Sequence, residues 1–297
     1  MIPLILNNNK EPVYNQAMAE KTLTGKLNIK DAFYKKNPRV AKLLPGFVYW
    51  YIKRIVHQDE MNDFLDVHGK KRGIEFINAV VEYFNIYFNV SGEEKIPEKG
   101  RLIFAANHPL GGFDGIVLMH IIGKYYKNIK FLVNDILMNI INMEELFIPV
   151  NTFGRQSAEY VNRIEGEYAS DVQILNFPAG ICSRKIKGKI IDLEWKKSFI
   201  NKAIQHKRDI VPVHFGGKNS NFFYNLANFR KALGIKTNIE LFFLANELFK
   251  QMNKIISVKF GDSISYKTFD KSKTHKEWAK WVKEKVYALN GVYDVPI

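Results

Sequence analysis

Two periodicities divide the chain. From about residue 31 to 89, apolar positions recur every three or four residues, the spacing of helices with one buried face. The stretch "RVAKLLPGFVYWYIKRIV" reads as a short helix, a break at Pro45–Gly46 and a second helix. "DEMNDFLDVHG" carries acids in its first turn and ends on Gly69, as helices tend to. "KRGIEFINAVVEYFNIYF" continues the helical spacing for about four turns. Residues 1–30 are polar and aperiodic and are expected to wrap loosely on the surface.

After residue 100 the pattern changes. "GRLIFAANH", "NIKFLVND", "ELFIPVN", "VQILNFPAG" and "DIVPVHFGG" are short apolar runs that end in polar, Gly or Pro residues. Helical stretches near 114–127, 156–169 and 194–207 separate them. Strands alternating with helices predict an α/β fold with a largely parallel sheet flanked by helices. "NSNFFYNLANFRKALGI" and "NIELFFLANELFKQMN" read as helices, and "IISVKFGDSI" as a further strand. "KEWAKWVKEKVYALNG" reads as an amphipathic helix closing at Gly291. The expected organisation is a helical N-terminal segment, residues 1–85, followed by an α/β domain, residues 86–297.

Composition narrows the class. The chain has 297 residues, 46% of them hydrophobic, enough for a sizeable core. A single cysteine, Cys182, excludes an internal disulfide and fits a reducing compartment. The apolar part of "MIPLILNNNKEP" is short for a signal peptide. No uncharged apolar run reaches the roughly 18 residues of a spanning helix. The net charge is +14 and unevenly spread: 15 basic against 12 acidic residues in the first hundred, 29 against 18 in the rest. Such a surface attracts nucleic acid, an anionic membrane face, or an acidic substrate or carrier. A solvated lysine-rich surface with no partner is the plain alternative.

In open α/β sheets, ligands bind beyond the carboxyl ends of strands. Three polar clusters fall at such ends: "NHPLGGFD", "NTFGRQ" and "FPAGICSRK". In the first, His108 and Asp114 flank Gly111–Gly112, and a tight glycine turn brings the two side chains within reach. A histidine is the usual general base, and a carboxylate beside it fixes its tautomer. The pair also reads as ordinary structure, with Asp114 as the N-cap of "GIVLMHIIGKYY" and His108 bonded to backbone. No G-x-S-x-G elbow supports a serine hydrolase. Cys182 as a nucleophile, or His108, Asp114 and His120 as a metal set, have no supporting motif.

"NHPLGGFDG", "FIPVNTFGRQ", "FPAGICSRK" and "IVPVHFGG" follow one another in order, over about residues 88–218. This series resembles the glycerolipid acyltransferases of the lysophosphatidic acid acyltransferase superfamily, and most of all its hemolysin-related bacterial branch. Some members of that branch acylate lyso-aminolipids such as lyso-ornithine or lyso-glycine lipids. The family motif has four residues between His and Asp, whereas this chain has five. Ala179 stands where the common motif has Glu.

The resemblance implies an O-acyltransferase moving a fatty acyl group from a thioester to a lysolipid hydroxyl. His108 would be the base and Asp114 its orienter, with no covalent acyl-enzyme. It implies substrate contacts from Asn107, Gly112, Arg155, Phe177, Pro178, Gly180, Ser183 and Arg184, the two arginines holding an anionic headgroup. No bound cofactor or metal is expected. The donor would be an acyl-carrier protein or coenzyme A thioester, both acidic. The acceptor is a one-chain lipid, so a cytoplasmic enzyme, peripheral on the anionic inner face of the cell membrane, is expected. "LLPGFVYWYIKRIV" and "NFFYNLANFRKALG" carry aromatic and basic residues of the interfacial kind. Two other classes fit the charge or the pair: a basic nucleic-acid-binding module, though nucleic acid is not expected, and a lipid or thioester hydrolase using the same His–Asp pair on water.

Overall fold

The apolar runs after residue 100 form the middle of a twisted sheet in a computed structural model of the chain. The structure describes residues 26–291 apart from 37, 135–136, 139, 151–157 and 236–237. The strands are β1 (Tyr87–Ser91), β2 (Leu102–Ala106), β3 (Ile129–Asn134), β4 (Phe147–Val150), β5 (Gln173–Asn176), β6 (Arg184–Ile186), β7 (Lys189–Ile191), β8 (Asp209–Phe215) and β9 (Ile255–Phe260). Among the described residues seven of them make one sheet, in the order β1-β9-β8-β2-β5-β3-β4. β8, β2, β5, β3 and β4 run parallel. β9 is antiparallel to β8, and β1 is parallel to β9. The expected largely parallel α/β sheet is therefore present, with a reversed pair at one edge.

β2 is buried along its whole length and shows how the sheet makes two cores. Side chains alternate across a strand. Leu102, Phe104 and Ala106 join the cluster that holds the helices Gly73–Tyr83 and Gly112–Tyr125. Ile103 and Ala105 join the opposite cluster, with the helices Ser198–His206 and His275–Ala288. Each fully buried Ile, Leu or Phe is worth roughly 1.5–3 kcal/mol. The first cluster also takes in Phe64, Phe76 and Ile77, so helical residues before position 85 pack on the sheet's own core.

The helix Gly112–Tyr125 buries apolar residues on two faces because it is sandwiched. A Cβ at Gly115 would lie 2.6 Å from the Phe131 ring of β3, and one at Gly123 2.9 Å from Ile74 of the helix outside. Two glycines thus set how closely the helix lies on its neighbours.

Some elements differ from the sequence expectation. The helical spacing of "KRGIEFINAVVEYFNIYF" stops at Tyr83. Asn85 adopts φ 47°, which ends the helix, and Tyr87–Ser91 then alternates inward and outward as edge strand β1. β6 and β7 form a small hairpin that the sequence reading missed. Its turn, Lys187–Gly188, has φ 46° and 81°, both positive as a tight hairpin turn requires. "NIELFFLANELFKQMN" is a short 3₁₀ turn (Ile239–Phe243) followed by a helix (Leu244–Phe249), not one helix. Glu240 is drawn inward there by two arginines. The loose wrapping expected of residues 1–30 falls mostly outside the described residues.

Arg208 anchors the end of one crossover. Its fully buried guanidinium donates to the carbonyls of Tyr168 at 2.7 Å, Val172 at 2.7 Å, Glu167 at 3.2 Å and Ser170 at 2.5 Å. These include last-turn carbonyls of the helix Ala158–Ala169, which have no partner inside the helix.

Candidate active site

β2 ends at the centre of the sheet, and the chain then makes its first polar contact. Asn107 is buried and tied to β8 twice: its Nδ2 donates to the Phe215 carbonyl at 2.9 Å, and the Phe215 N–H donates to its Oδ1 at 2.6 Å. That fixes where the next residue, His108, emerges. Pro109 and Leu110 follow, and Gly111 turns the chain with φ 73°. A Cβ at Gly111 would lie 2.8 Å from a Leu244 methyl, so a side chain there would have to displace Leu244 as well as adopt a strained backbone angle.

The helix begins at Gly112, and Asp114 stands in its first turn. Asp114 is fully buried. Its Oδ2 lies 3.0 Å from His108 Nδ1 and accepts the Leu110 N–H at 2.8 Å. Its Oδ1 is buried without a hydrogen-bond partner. The N-cap role considered for Asp114 is corrected: the cap position is Gly111, which has no side chain to cap with. Asp114 reaches back over the turn to the histidine instead. The five-residue spacing is thereby accommodated by a glycine-led turn.

Burial pushes the Asp114 carboxyl up to about 6, against the downward pull of His108 and the Leu110 N–H; the Asp192 charge adds to the rise. A carboxylate only accepts, so with Asp114 ionised the proton of the pair sits on Nδ1 of His108. Nε2 then keeps its lone pair. The His108 ring stacks on Phe177 at 4.2 Å between centroids and 11° between planes.

Phe177 opens the second motif. The Gly180 N–H donates to the Phe177 carbonyl at 2.9 Å, closing a turn with Gly180 at φ 73°. The Lys196 N–H donates to the Pro178 carbonyl at 3.0 Å. Ala179 is buried in the second core cluster, so a Glu at that position would enter apolar packing. The Ser183 N–H donates to the His108 carbonyl at 2.7 Å, joining the two motifs through their main chains.

The candidate residues therefore divide. His108, Asp114, Asn107, Phe177 and Ser183 come together. Gly112 is exposed, with open space where a Cβ would project. Arg184 is buried, and its Nη1 donates to the Cys182 carbonyl at 2.9 Å. Its Nη2 meets Glu240 at 3.0 Å. Glu240 also takes Arg230 at 2.8 Å. Arg184 is thus already charge-balanced. Arg155 lies outside the described residues. Cys182 is buried, and burial raises its thiol pKa, which keeps it protonated and a poor nucleophile. His120 is bonded to Asn78 at 2.8 Å and stacked on Phe88.

Sequence reading missed Asp192, Trp195, Glu240 and Tyr287, all of which touch this region. Asp192 stands in no motif, and its partners His108, Lys283 and Tyr287 lie 84, 91 and 95 residues away. The D-x-x-W spacing of Asp192 and Trp195 was the one local signal.

A family model described as "Acyltransferase" matches residues 32–296. A lyso-glycine lipid O-acyltransferase of Bacteroides thetaiotaomicron is 50% identical over 255 residues, 86% of this chain and 94% of that protein. A lyso-glycine lipid O-acyltransferase of Phocaeicola vulgatus is 47% identical over 264 residues, 89% of this chain and 95% of that protein. Among solved structures, the 1-acyl-sn-glycerophosphate acyltransferase PlsC of Thermotoga maritima aligns with a TM-score of 0.46 at 15% identity. That alignment covers 84% of this chain and 95% of the other.

Proposed function

This chain belongs to the acyltransferase family, and on that premise we propose that it transfers a fatty acyl group from a thioester to the hydroxyl of a lysolipid. The relatives' names favour a glycine-headed lysolipid as the acceptor to try first. The observation that carries the reading is the 3.0 Å contact between His108 Nδ1 and buried Asp114, which leaves Nε2 as the base.

In this reading Nε2 takes the proton of the acceptor hydroxyl as that oxygen attacks the thioester carbonyl carbon. Asp114 stabilises the imidazolium that forms. The tetrahedral intermediate collapses, the carbon–sulfur bond breaks, and the proton passes from Nε2 to the leaving sulfur. An ester and a free thiol result, and no acyl-enzyme is required. Phe177 holds the ring, and Asn107 and Ser183 hold its main chain. Arg155 remains the proposed headgroup ligand. Arg184, balanced by Glu240, shapes the turn that a headgroup meets.

The donor is an acyl-carrier protein or coenzyme A thioester, matched in charge by the nine basic residues between positions 184 and 208. The acceptor lies in an anionic membrane, and the enzyme works as a peripheral protein on its inner face. No helix among the described residues is long and apolar enough to cross a membrane. Two helices offer interfacial faces. Gly46–Ile55 exposes Phe47, Trp50 and Tyr51 and ends on Lys53 and Arg54. Asn221–Ala232 exposes Phe222 and Phe229, with Leu233 just beyond its end.

The test is transfer of labelled acyl groups from acyl-carrier protein or coenzyme A to lysophosphatidic acid, lysophospholipids and lyso-aminolipids, with His108→Ala as control. Transfer lost in the variant supports the reading. A folded wild-type protein that acylates none of them, or that releases free fatty acid whether or not acceptor is present, overturns it.

A further inference from the structure

A second buried carboxylate, Asp192, sits behind the dyad and belongs to none of the motifs. Its Oδ1 accepts two bonds: the His108 main-chain N–H at 3.2 Å and the Ser183 hydroxyl at 2.6 Å. Its Oδ2 accepts the Trp195 indole N–H at 2.9 Å. Its own main chain is held by the C-terminal helix His275–Ala288. The Asp192 N–H donates to the Tyr287 hydroxyl at 2.8 Å, and Lys283 Nζ donates to the Asp192 carbonyl at 2.7 Å. Meanwhile the Ser183 N–H donates to the His108 carbonyl at 2.7 Å. The peptide units on both sides of His108 are therefore gripped by the Ser183–Asp192 couple.

We infer that Asp192 is a positioning residue for the transfer reaction: it clamps the His108 loop to the F-P-A-G-I-C-S loop and sets where the base stands relative to the acyl carbonyl. This rests on the reading of His108 as the base. Three features support more than a packing role. The carboxylate is 1% exposed, so its charge is costly unless every bond to it is made. Two of its three acceptor bonds come from separate loops, one from His108 and one from Ser183. Its fixed orientation comes from a third element, the C-terminal helix. Asp192 also bears on the dyad's charge, since its carboxylate raises the Asp114 pKa.

The experiment uses the full chain with Asp192→Asn and Asp192→Ala. Asparagine keeps an acceptor for His108 and Ser183 but loses the charge. Three readings are taken: kcat and KM for the lysolipid, the pH dependence of kcat, and hydrogen exchange over residues 107–114. The groups facing Asp114 are His108, the Leu110 N–H and Asp192. Cys182 and Tyr224 also feel it, but burial raises both, Tyr224 to about 12, so neither titrates in the range used.

The expected result is a kcat lower by roughly a hundredfold in Asp192→Ala, as for a base displaced by about 1 Å. Asp192→Asn should recover part of that loss, and KM should be little changed. The acid limb should move to lower pH in both, because a like charge beside Asp114 is gone. The His108 amide should exchange faster. A change confined to packing would not move the acid limb. If neither variant folds, Tyr287→Phe, which removes the bond to the Asp192 N–H and leaves that from Lys283, should show a smaller kcat loss and faster His108 exchange. A folded variant with wild-type kcat, an unmoved acid limb and unchanged His108 exchange overturns the inference. Should the wild type transfer nothing, the acyltransferase reading fails while the exchange measurement still decides whether Asp192 holds His108.

Discussion

His108 Nδ1 and Asp114 Oδ2 lie 3.0 Å apart although five residues separate them in sequence, and the turn that joins them starts a helix. The same carboxylate oxygen accepts the Leu110 N–H, so the loop between the two residues is bonded to the pair it connects. Changing Asp114 to Asn should break the chemistry while sparing the fold. The amide can donate to Nδ1 and would then select the wrong histidine tautomer. A kcat loss of about three to four orders of magnitude is expected, with KM near wild type. Steady-state kinetics at pH 8 measure it.

The same variant has a stability consequence of opposite sign. Asp114 holds its proton more tightly folded, at about 6, than its ordinary 3.8. A raised acid favours folding below 3.8 and loses that contribution as pH rises through about 6. At pH 8 the ionised group therefore costs the fold on the order of 3 kcal/mol. Asp114→Asn should unfold at a higher denaturant concentration than wild type at pH 8, with the gap closing near pH 4. Urea midpoints at the two pH values decide it.

The pH dependence of catalysis follows from the same group. With Asp114 protonated, the imidazole loses the charge that supports its protonated form. Transfer should rise with pH through about 6 and then level. A limb near pH 4 would mean that the buried carboxyl is better solvated than its surroundings imply.

Gly115 offers a contest of two known effects. Alanine in a helix is favoured over glycine by about 1 kcal/mol. Here its Cβ would meet the Phe131 ring at 2.6 Å, and overpacking costs about 1–3 kcal/mol. Gly115→Ala should be net destabilising. Because Asp114 is the preceding residue, kcat should fall too. Thermal unfolding and kinetics on the same preparation test both.

Glu240 is fully buried between Arg184 and Arg230. Removing one member of a buried ion network leaves charges without a partner, at about 3–5 kcal/mol. Glu240→Ala should lose stability of that size, and Glu240→Gln less. The loss should come with a raised KM for the acceptor, since Arg184 then no longer fixes the turn before β6. Equilibrium unfolding checks the first and acceptor titration the second.

Phe222, Phe229 and Leu233 are spaced seven and four residues apart, so they fall on one side of their helix, and all three are about half exposed or more. Replacing them with serine should weaken binding to phosphatidylglycerol vesicles at least tenfold, each lost apolar contact being worth about 1.5 kcal/mol or more. Transfer in mixed micelles should persist. Co-sedimentation measures the binding.

Much of this architecture was legible locally. Strands β2, β3, β4, β5 and β8 announced themselves as apolar runs ending in polar or glycine residues, because a central parallel strand is buried on both faces. His108, Asp114 and Phe177 sat at such ends. Edge elements were harder to read. Tyr87–Ser91 has an exposed side and follows a helix with the same apolar content, so only Asn85 marked the change. Asp192 and Glu240 were out of reach for another reason. Their roles depend on partners 84 and 56 residues away, which no local spacing encodes.

The bond from the Asp192 N–H to the Tyr287 hydroxyl also joins the two faces of the sheet. The dyad closes within one turn of chain, between β2 and the helix that follows it. Its anchor does not, because Tyr287 belongs to the helix His275–Ala288, 95 residues beyond Asp192. That helix packs in the second core cluster, across the sheet from the helix that carries Asp114. The histidine's partner is thus set by one layer of the fold and its seat by the other, so the base registers the packing of both.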